Sequence, residues 1–453
     1  MEKLHKLLGG LTPAQIMVLG FLELIFLGSL LLSLPAATTG SVDVSYLDAL
    51  FTATSAVCVT GLVVVDTGTA FSAFGQGVIL TLIQIGGLGF MTLSTTLFLM
   101  AGKKIGLRDR LLIREAFSQY DLSGLVKLVR QVVKTTLFCE GIGALLLTVG
   151  FLAFMPFRNA LYYGIFHAIS AFCNAGFDLF GKVSGPFSSL TAYAGEWFTL
   201  VIAFLIIIGG LGFPVLMDLG KRLSGKKLSL HSKMGLLATA TLLVCGFFAF
   251  FSLEHNNPGT LGEKPLSAQI VSTFFQTVTP RTAGFNSLPL TALSDPTVFL
   301  LIILMFIGAS PSSTGGGIKT TTFFTLILAV WAMIRGKRDV ELFERRLPTD
   351  VILKAFTIAF ISSALVGVVT FCLSCLEPEF SFLALFFEAT SAFSTAGLSQ
   401  GVTPNLTSPF SKMLLIGTMF AGRVGLFTIV VALTHQWQTN IAIRYSEERI
   451  IIG

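Results

Sequence analysis

Four short segments hold the residues best placed to do chemistry: SAVCVTG (55–61), SAFCNAG (170–176), VTPRTAG (278–284) and SAFSTAG (391–397). Their side chains change from copy to copy, but each segment ends on glycine, at Gly61, Gly176, Gly284 and Gly397. The reactive group that all four share is therefore the main-chain carbonyl. Carbonyl oxygens turned toward one axis from four sides could replace the water around a cation. Glycine suits the end of such a segment, because it reaches positive φ without strain and has no Cβ to narrow a ring. A single glycine of this kind reads as helix packing, whereas four at matched places do not.

Other reactive side chains are sparse. His167 lies near the second segment, yet no second His or Cys stands at metal-ligand spacing, so it reads as a satisfied packing residue. The cysteines are Cys58, Cys139, Cys173, Cys245, Cys372 and Cys375. Cys372 and Cys375 have CxxC spacing, but inside an apolar run with no strand nearby, and they read as small packing side chains. Cys58 and Cys173, each three positions before its glycine, are expected to offer carbonyls rather than thiolates. Arg281, also three before its glycine, is expected to pair with an outer acid that the sequence does not name. Nothing points to a catalytic base, an organic cofactor or a bound nucleotide. An integral membrane enzyme, the remote alternative, would need facing carboxylates or histidines within the apolar runs, which are nearly free of them.

The elements that must position these segments are membrane helices. Of 453 residues, 53% are hydrophobic and 12% charged, about half the charge of a soluble domain. Eight apolar runs are long enough to span. They pair as 14–34 with 77–100, 132–155 with 197–217, 234–253 with 297–331, and 351–375 with 411–432. Each pair encloses one glycine segment. The glycines are 115, 108 and 113 residues apart, and Phe51, Phe166, Phe274 and Phe387 precede them by ten positions. A fixed period with constant internal order is the mark of repetition. The run at 16–34 has 19 residues, more than a signal peptide's apolar core, and reads as a retained helix. Within the first unit, Tyr46–Val57 suits a helix of only 12 residues, roughly 18 Å, too short to cross. The β-branched VCVTG that follows suits extended chain. Non-helical backbone at membrane depth must be buried in protein or line a wet cavity.

Charge orients the units. The links between them are basic, with Lys103, Lys104, Arg108 and Arg110 in the first, Lys221, Arg222, Lys226 and Lys227 in the second, and Arg335, Lys337, Arg345 and Arg346 in the third. The positive-inside rule places the links and both termini in the cytoplasm, so the glycine segments enter from outside. All four units then point the same way, as parallel repeats around an axis along the membrane normal. The net charge of +6 is thus topological, and no nucleic acid is expected as a partner. The expected fold is an all-α integral membrane protein of the cell (inner) membrane. Four helix–pore loop–helix repeats, eight transmembrane helices in all, surround a central pore in the lipid bilayer. The repeats cover 1–105, 106–222, 223–340 and 341–443, followed by a cytoplasmic tail at 444–453.

Two features interrupt the apolar runs. GASPSSTGGGIKTTTF (308–323) places Pro311 and three glycines inside one run, which regular helix does not tolerate without cost. A broken helix is expected there, with an intramembrane loop at 309–317 facing the cavity. A packing kink is the alternative. A phosphate-binding loop would need glycine directly before the lysine, where Ile318 stands. The second feature is Arg423 in FAGRVGLF. An arginine at the bilayer centre costs between ~2.5 and ~17 kcal/mol depending on how it is measured, so it should face the cavity or a partner. The corresponding places in the other units are GGLG (86–89), GGLG (209–212) and TGGG (314–317). Arg423 is expected to form a gate with Gly308, Ala309, Ser310, Pro311, Ser312, Ser313, Thr314, Gly315, Gly316, Gly317 and Lys319. The competing expectation is a structural salt bridge to Glu140 or Glu23.

Across essentially its whole length the sequence resembles the Trk/Ktr/HKT superfamily of potassium transporters. The resemblance rests on the four glycine segments, the unit order and the interrupted helix of unit three. It implies a potassium selectivity filter at Val59, Thr60, Gly61, Asn174, Ala175, Gly176, Thr282, Ala283, Gly284, Thr395, Ala396 and Gly397, with K+ dehydrated by carbonyls of 57–61, 172–176, 280–284 and 394–397. Glycine in all four places implies potassium preference, since serine at the first accompanies sodium transport in the plant branch. Trk-type subunits carry two helices ahead of the first unit, and this chain begins almost at once with it, so it is more similar to the KtrB branch. That branch implies Na+ as activator, a homodimer, and a cytoplasmic ring of nucleotide-binding RCK subunits of the KtrA type, binding ATP or ADP. The tail IRYSEERIIIG (443–453) is expected near those contacts. A Trk-type subunit with other coupling, or a sodium carrier, is the alternative.

Overall fold

Apolar runs with well-formed caps make this chain almost entirely helical. The computed structural model describes residues 12–89, 92, 95, 96, 125–222, 225–337 and 339–433. The end of the run at 77–100, most of the first basic link and the tail at 444–453 lie outside the described residues.

α1 (Pro13–Leu32) starts where Thr12 and Gln15 close a capping box and Pro13 fills the first turn. The short α2 (Tyr46–Val57) starts with the same device, Ser45 with Asp48, and α3 (Ala73–Leu88) follows. The second group is α4 (Leu125–Phe151), α5 (Phe157–Phe172), α6 (Trp197–Gly210) and α7 (Phe213–Arg222). The third is α8 (Leu230–Glu254), α9 (Leu266–Val278), α10 (Asp295–Phe306) and α11 (Thr320–Ile334). A hairpin of β1 (Glu341–Leu342) and β2 (Arg345–Arg346) leads to the last group. This contains α12 (Thr349–Leu376), α13 (Phe382–Ser394), α14 (Pro409–Val424) and α15 (Leu426–Leu433).

By length and composition α1, α4, α8 and α12 each suffice to cross a bilayer. Each leaves most of its surface uncovered, including Phe26, Phe138, Phe248 and Phe360, as a helix facing lipid would. The other four expected crossings are not continuous helices. α6 and α7 meet at 97° and α14 and α15 at 93°, and residues 307–319 separate α10 from α11. Counting each bent pair once gives six crossings among the described residues, against eight expected. The breaks fall on glycine: Gly89, Gly212 and Gly425 follow α3, α6 and α14 at φ of 83°, 87° and 90°. Hydropathy stays high across such a residue, so the runs look unbroken although the backbone turns.

The groups close into a circle. α3 packs on α5, α6 on α9, α10 on α13, and α14 returns to α2. Lys412 on α14 seals the last junction with a 2.7 Å ion pair to Asp48. The four short helices are thereby gathered at the centre. Close approach needs glycine. A Cβ at Gly86, Gly209 or Gly422 would overlap the carbonyl oxygen of Val57, Phe172 or Phe393, each four positions before a segment-ending glycine.

Candidate functional site

α2, α5, α9 and α13 all run out into the same kind of turn. In each, the residue before the glycine donates its amide to the carbonyl of a hydroxyl residue in the last helical turn or, for Thr279, at the helix cap. The pairs are Thr60 to Ser55 (2.8 Å), Ala175 to Ser170 (2.7 Å), Ala283 to Thr279 (3.0 Å) and Ala396 to Ser391 (2.8 Å). The third segment is one residue shorter between hydroxyl and glycine. This corrects the sequence register: the buried aromatic of unit three is Phe275, not Phe274, and Phe275 stands four before Thr279 as Phe166 stands four before Ser170. Counting back from the glycine hid this one-residue offset.

The ending glycines have φ of 90°, 70°, 81° and 79°. The residues two places earlier are left-handed as well: Val59 (56°), Asn174 (58°), Thr282 (70°) and Thr395 (52°). Three of these are β-branched, for which positive φ is strained. Sequence reasoning missed this, because β-branched residues signal ordinary extended chain. The matched angles in four copies are the strongest local sign that the conformation is imposed for a purpose.

The glycines meet head to tail. A Cβ at Gly61 would lie 2.5 Å from the Ala175 oxygen, one at Gly176 2.6 Å from the Ala283 oxygen, and one at Gly284 3.1 Å from the Ala396 oxygen. One at Gly397 would overlap the Thr60 oxygen. Each segment thus touches the next, and the fourth touches the first. Of the residues singled out by sequence, all twelve in the four segments are brought together here.

On one side the ring opens into a cavity of about 350 Å³, lined by the four glycines together with Asp66, Asp178, Ser189, Asn286 and Ser399. Asp66 accepts from the amides of Thr69 (2.8 Å) and Phe187 (2.9 Å), and Asp178 from that of Phe180 (3.0 Å). Removal from water, and then the Asp66 carboxylate, pushes the Asp178 carboxyl up to about 7. On the other side lies the 308–319 segment. A Cβ at Gly315 would overlap the Thr282 hydroxyl, and one at Gly316 would lie 2.5 Å from that of Thr395. The loop therefore sits directly against the left-handed residues. A second cavity, of about 300 Å³, lies beyond it and is lined by Ser312, Ser313, Gly315, Gly317, Lys319 and Arg423.

The loop is held from several units. Ser310 and Thr314 donate their amides to the carbonyls of Gly210 (3.0 Å) and Gly209 (3.3 Å), at the break of α6, and Ser312 accepts from Phe213 (3.0 Å). Lys319 returns to the Gly315 carbonyl at 2.6 Å. Ala309 packs beside Gly315, Gly308 lies against the Gly316 carbonyl, and a Cβ at Gly212 would meet the Pro311 oxygen at 2.5 Å. The Arg423 guanidinium donates to the Thr314 carbonyl and to Gly86 and Gly87, the last at 3.3 Å. The expected salt bridge of Arg423 to Glu140 or Glu23 is not formed. Glu140 accepts from Gln84 (3.2 Å) and from the Cys173 thiol (3.8 Å), and Glu23 lies on the exposed face of α1. Arg281 likewise forms no ion pair among the described residues; its carbonyl accepts from Asn174 at 3.2 Å. His167 is satisfied, as read from sequence: Nδ1 donates to the Tyr163 carbonyl (2.7 Å), which leaves Nε2 to accept from the Leu179 amide (3.3 Å).

Comparison with known proteins gives a consistent picture. The family model TrkH, described as cation transport protein, matches residues 12–440. The chain is 42% identical to the Ktr system potassium uptake protein B of Bacillus subtilis, covering 98% of this chain and 97% of that one. It is 40% identical to the potassium/sodium uptake protein NtpJ of Enterococcus hirae, covering 98% of each. It is 39% identical to the Ktr system potassium uptake protein B of Vibrio alginolyticus, covering 97% of this chain and 94% of that one. Among solved structures, the potassium transporter TrkH of Vibrio parahaemolyticus is similar in fold. The TM-score is 0.71 at 19% identity, over 94% of this chain and 85% of that one.

Proposed function

This chain belongs to the TrkH family of cation transport proteins, and from that premise we propose that it is the potassium-translocating membrane subunit of an uptake system. The observation that carries the reading is the closed ring, in which each glycine faces a carbonyl oxygen of the next segment. Such a ring offers a dehydrated cation oxygen ligands from every side, and glycine at all four places supports K+ as the cargo. The architecture is four parallel helix–pore loop–helix repeats, with the bent or interrupted pairs serving as second helices. K+ enters the cavity beside Asp66 and Asp178, sheds its water at the ring, and passes when the 309–317 loop and Arg423 give way. Membrane potential supplies about 2.3 kcal/mol per charge per 100 mV, enough for inward flow without chemistry.

Relatives named as parts of a Ktr system support a multi-subunit assembly, here a homodimer on a nucleotide-binding RCK ring. The relative named for potassium and sodium supports Na+ as activator. The test is growth of a potassium-uptake-deficient bacterium on low potassium, with and without a KtrA-type ring subunit. Rescue is expected. Failure in both, with stable membrane expression, would refute the reading.

The Asp178 carboxyl gives the mouth an acid sensitivity of definite sign. Its charge, which attracts K+, is present above about pH 7 and is lost below it. Half-saturation for K+ should therefore rise severalfold as external pH falls from 8 to 6. Asp178→Asn should show the weaker affinity at both pH values, measured as initial uptake rates against potassium concentration.

A further inference from the structure

The residue that follows the buried phenylalanine is polar in all four short helices: Thr52, His167, Gln276 and Glu388, each fully buried. Three of them reach past the ring to the chain beyond the glycine. His167 accepts from the amide of Leu179, three residues after Gly176. Gln276, with its amide oxygen turned to the loop, accepts from Ser287 (3.2 Å) and Leu288 (3.1 Å), after Gly284. Glu388 accepts from the Ser399 hydroxyl (2.6 Å) and from the amides of Gln400 (3.3 Å) and Thr403 (2.7 Å), after Gly397. Thr52 is the exception, and its hydroxyl has no partner among the described residues.

Position and chemistry agree. How well a carbonyl ring discriminates between ions depends on the number and placement of its oxygens, and anchoring its two ends fixes both. The inner ends are anchored by the four amide bonds to the hydroxyl residues. The outer ends are anchored by these side chains, from behind, without entering the ion's path. We propose that His167, Gln276 and Glu388 are positioning residues for ion discrimination, that Glu388 is the strongest of them, and that unit one does without a positioning residue at this place, its Gly61 amide being held by the Ser55 hydroxyl at 3.1 Å. Glu388 ranks first for two reasons. It accepts three hydrogen bonds, where His167 accepts one and Gln276 two. Its bonds also span the longest stretch beyond the glycine, from Ser399 to Thr403. The proposal rests on the ring being a potassium filter.

The test is the ratio of potassium to sodium uptake in inverted or reconstituted vesicles, with protein abundance measured alongside. Glu388→Gln keeps size but turns an amide toward donors, and it should lower the ratio about tenfold. Ser399→Ala removes a single donor from the cavity side and should lower it about threefold. Thr52→Val removes a hydroxyl without a partner among the described residues and should stay within twofold of the unmodified protein. If Glu388→Gln and Ser399→Ala both stay within twofold, positioning is refuted while the filter stands. If Glu388→Gln only lowers abundance and Ser399→Ala is silent, Glu388 serves folding and the proposal again fails. If the unmodified chain moves no potassium, the filter reading itself fails.

Discussion

Gly397→Ala should lower potassium uptake at least a hundredfold while the protein still reaches the membrane. The added methyl would overlap the Thr60 carbonyl oxygen, and the α-carbons of Gly61 and Gly284 lie 3.0 Å from the same point. Every one of these neighbours is backbone, so none can rotate away as a side chain would. Alanine at φ of 79° is also strained by its own Cβ. The ring can relieve both only by opening or by pulling one set of oxygens off the axis. A loss of about 2.7 kcal/mol in ion stabilisation already gives a hundredfold.

The same geometry grades the other three positions. The first backbone atom met is 2.5 Å away at Gly61, 2.6 Å at Gly176 and 3.0 Å at Gly284. Alanine should therefore be least harmful at Gly284. Gly61→Ser should leave residual transport with weakened preference for potassium over sodium. Gly77→Ala, in α3 with nothing within 4 Å, should be silent. Uptake by Gly397→Ala at the unmodified rate, or damage from Gly77→Ala equal to that from Gly397→Ala, would remove the ring from the mechanism.

What the sequence makes legible is what repetition preserves. The four glycines stand out because no other residue fits where a Cβ would strike backbone, and selection for that fit leaves a visible period. The interruption after Ile307 is legible for the same reason, since Pro311 and Gly315 to Gly317 contradict helix outright. What stays hidden depends on neighbours. Val59, Thr282 and Thr395 have the side chains of extended strand, and only the packing of four segments forces them left-handed. Phe275 was displaced by one because alignment on the glycine cannot sense a shortened turn. The bends at Gly212 and Gly425 are invisible to hydropathy, which averages over the very residue that turns the chain. Arg423 could be recognised as exceptional, but its partners are carbonyls from two sequence-distant places, and carbonyls carry no sequence signal.

Those partners decide how Arg423 acts, and Arg423→Ala should raise the initial uptake rate about tenfold and weaken its dependence on regulatory partners. The guanidinium spans two units, bonding the Thr314 carbonyl of the loop and the Gly86 and Gly87 carbonyls at the end of α3. Removing it loosens the loop, whose other bonds include those to the break of α6, those from the Thr314 hydroxyl to the Phe172 carbonyl and the Asn174 side chain, and the return to itself through Lys319. On the proposed path it also removes a positive charge that lines the second cavity and that a permeating cation would have to pass. Lysine separates the two effects. Arg423→Lys retains the charge, but a single ammonium lacks the planar fork that reaches both sets of carbonyls. If bridging holds the loop shut, the lysine variant should behave like alanine; if charge alone blocks the path, it should behave like the unmodified protein. A loop excision that removes Ser312 to Gly315 should match or exceed the alanine variant, because it deletes the obstacle that Arg423 secures. Arg423→Ala and the excision both leaving rate and regulation unchanged, with protein abundance intact, would mean that the loop is a packing kink and that the gate lies elsewhere.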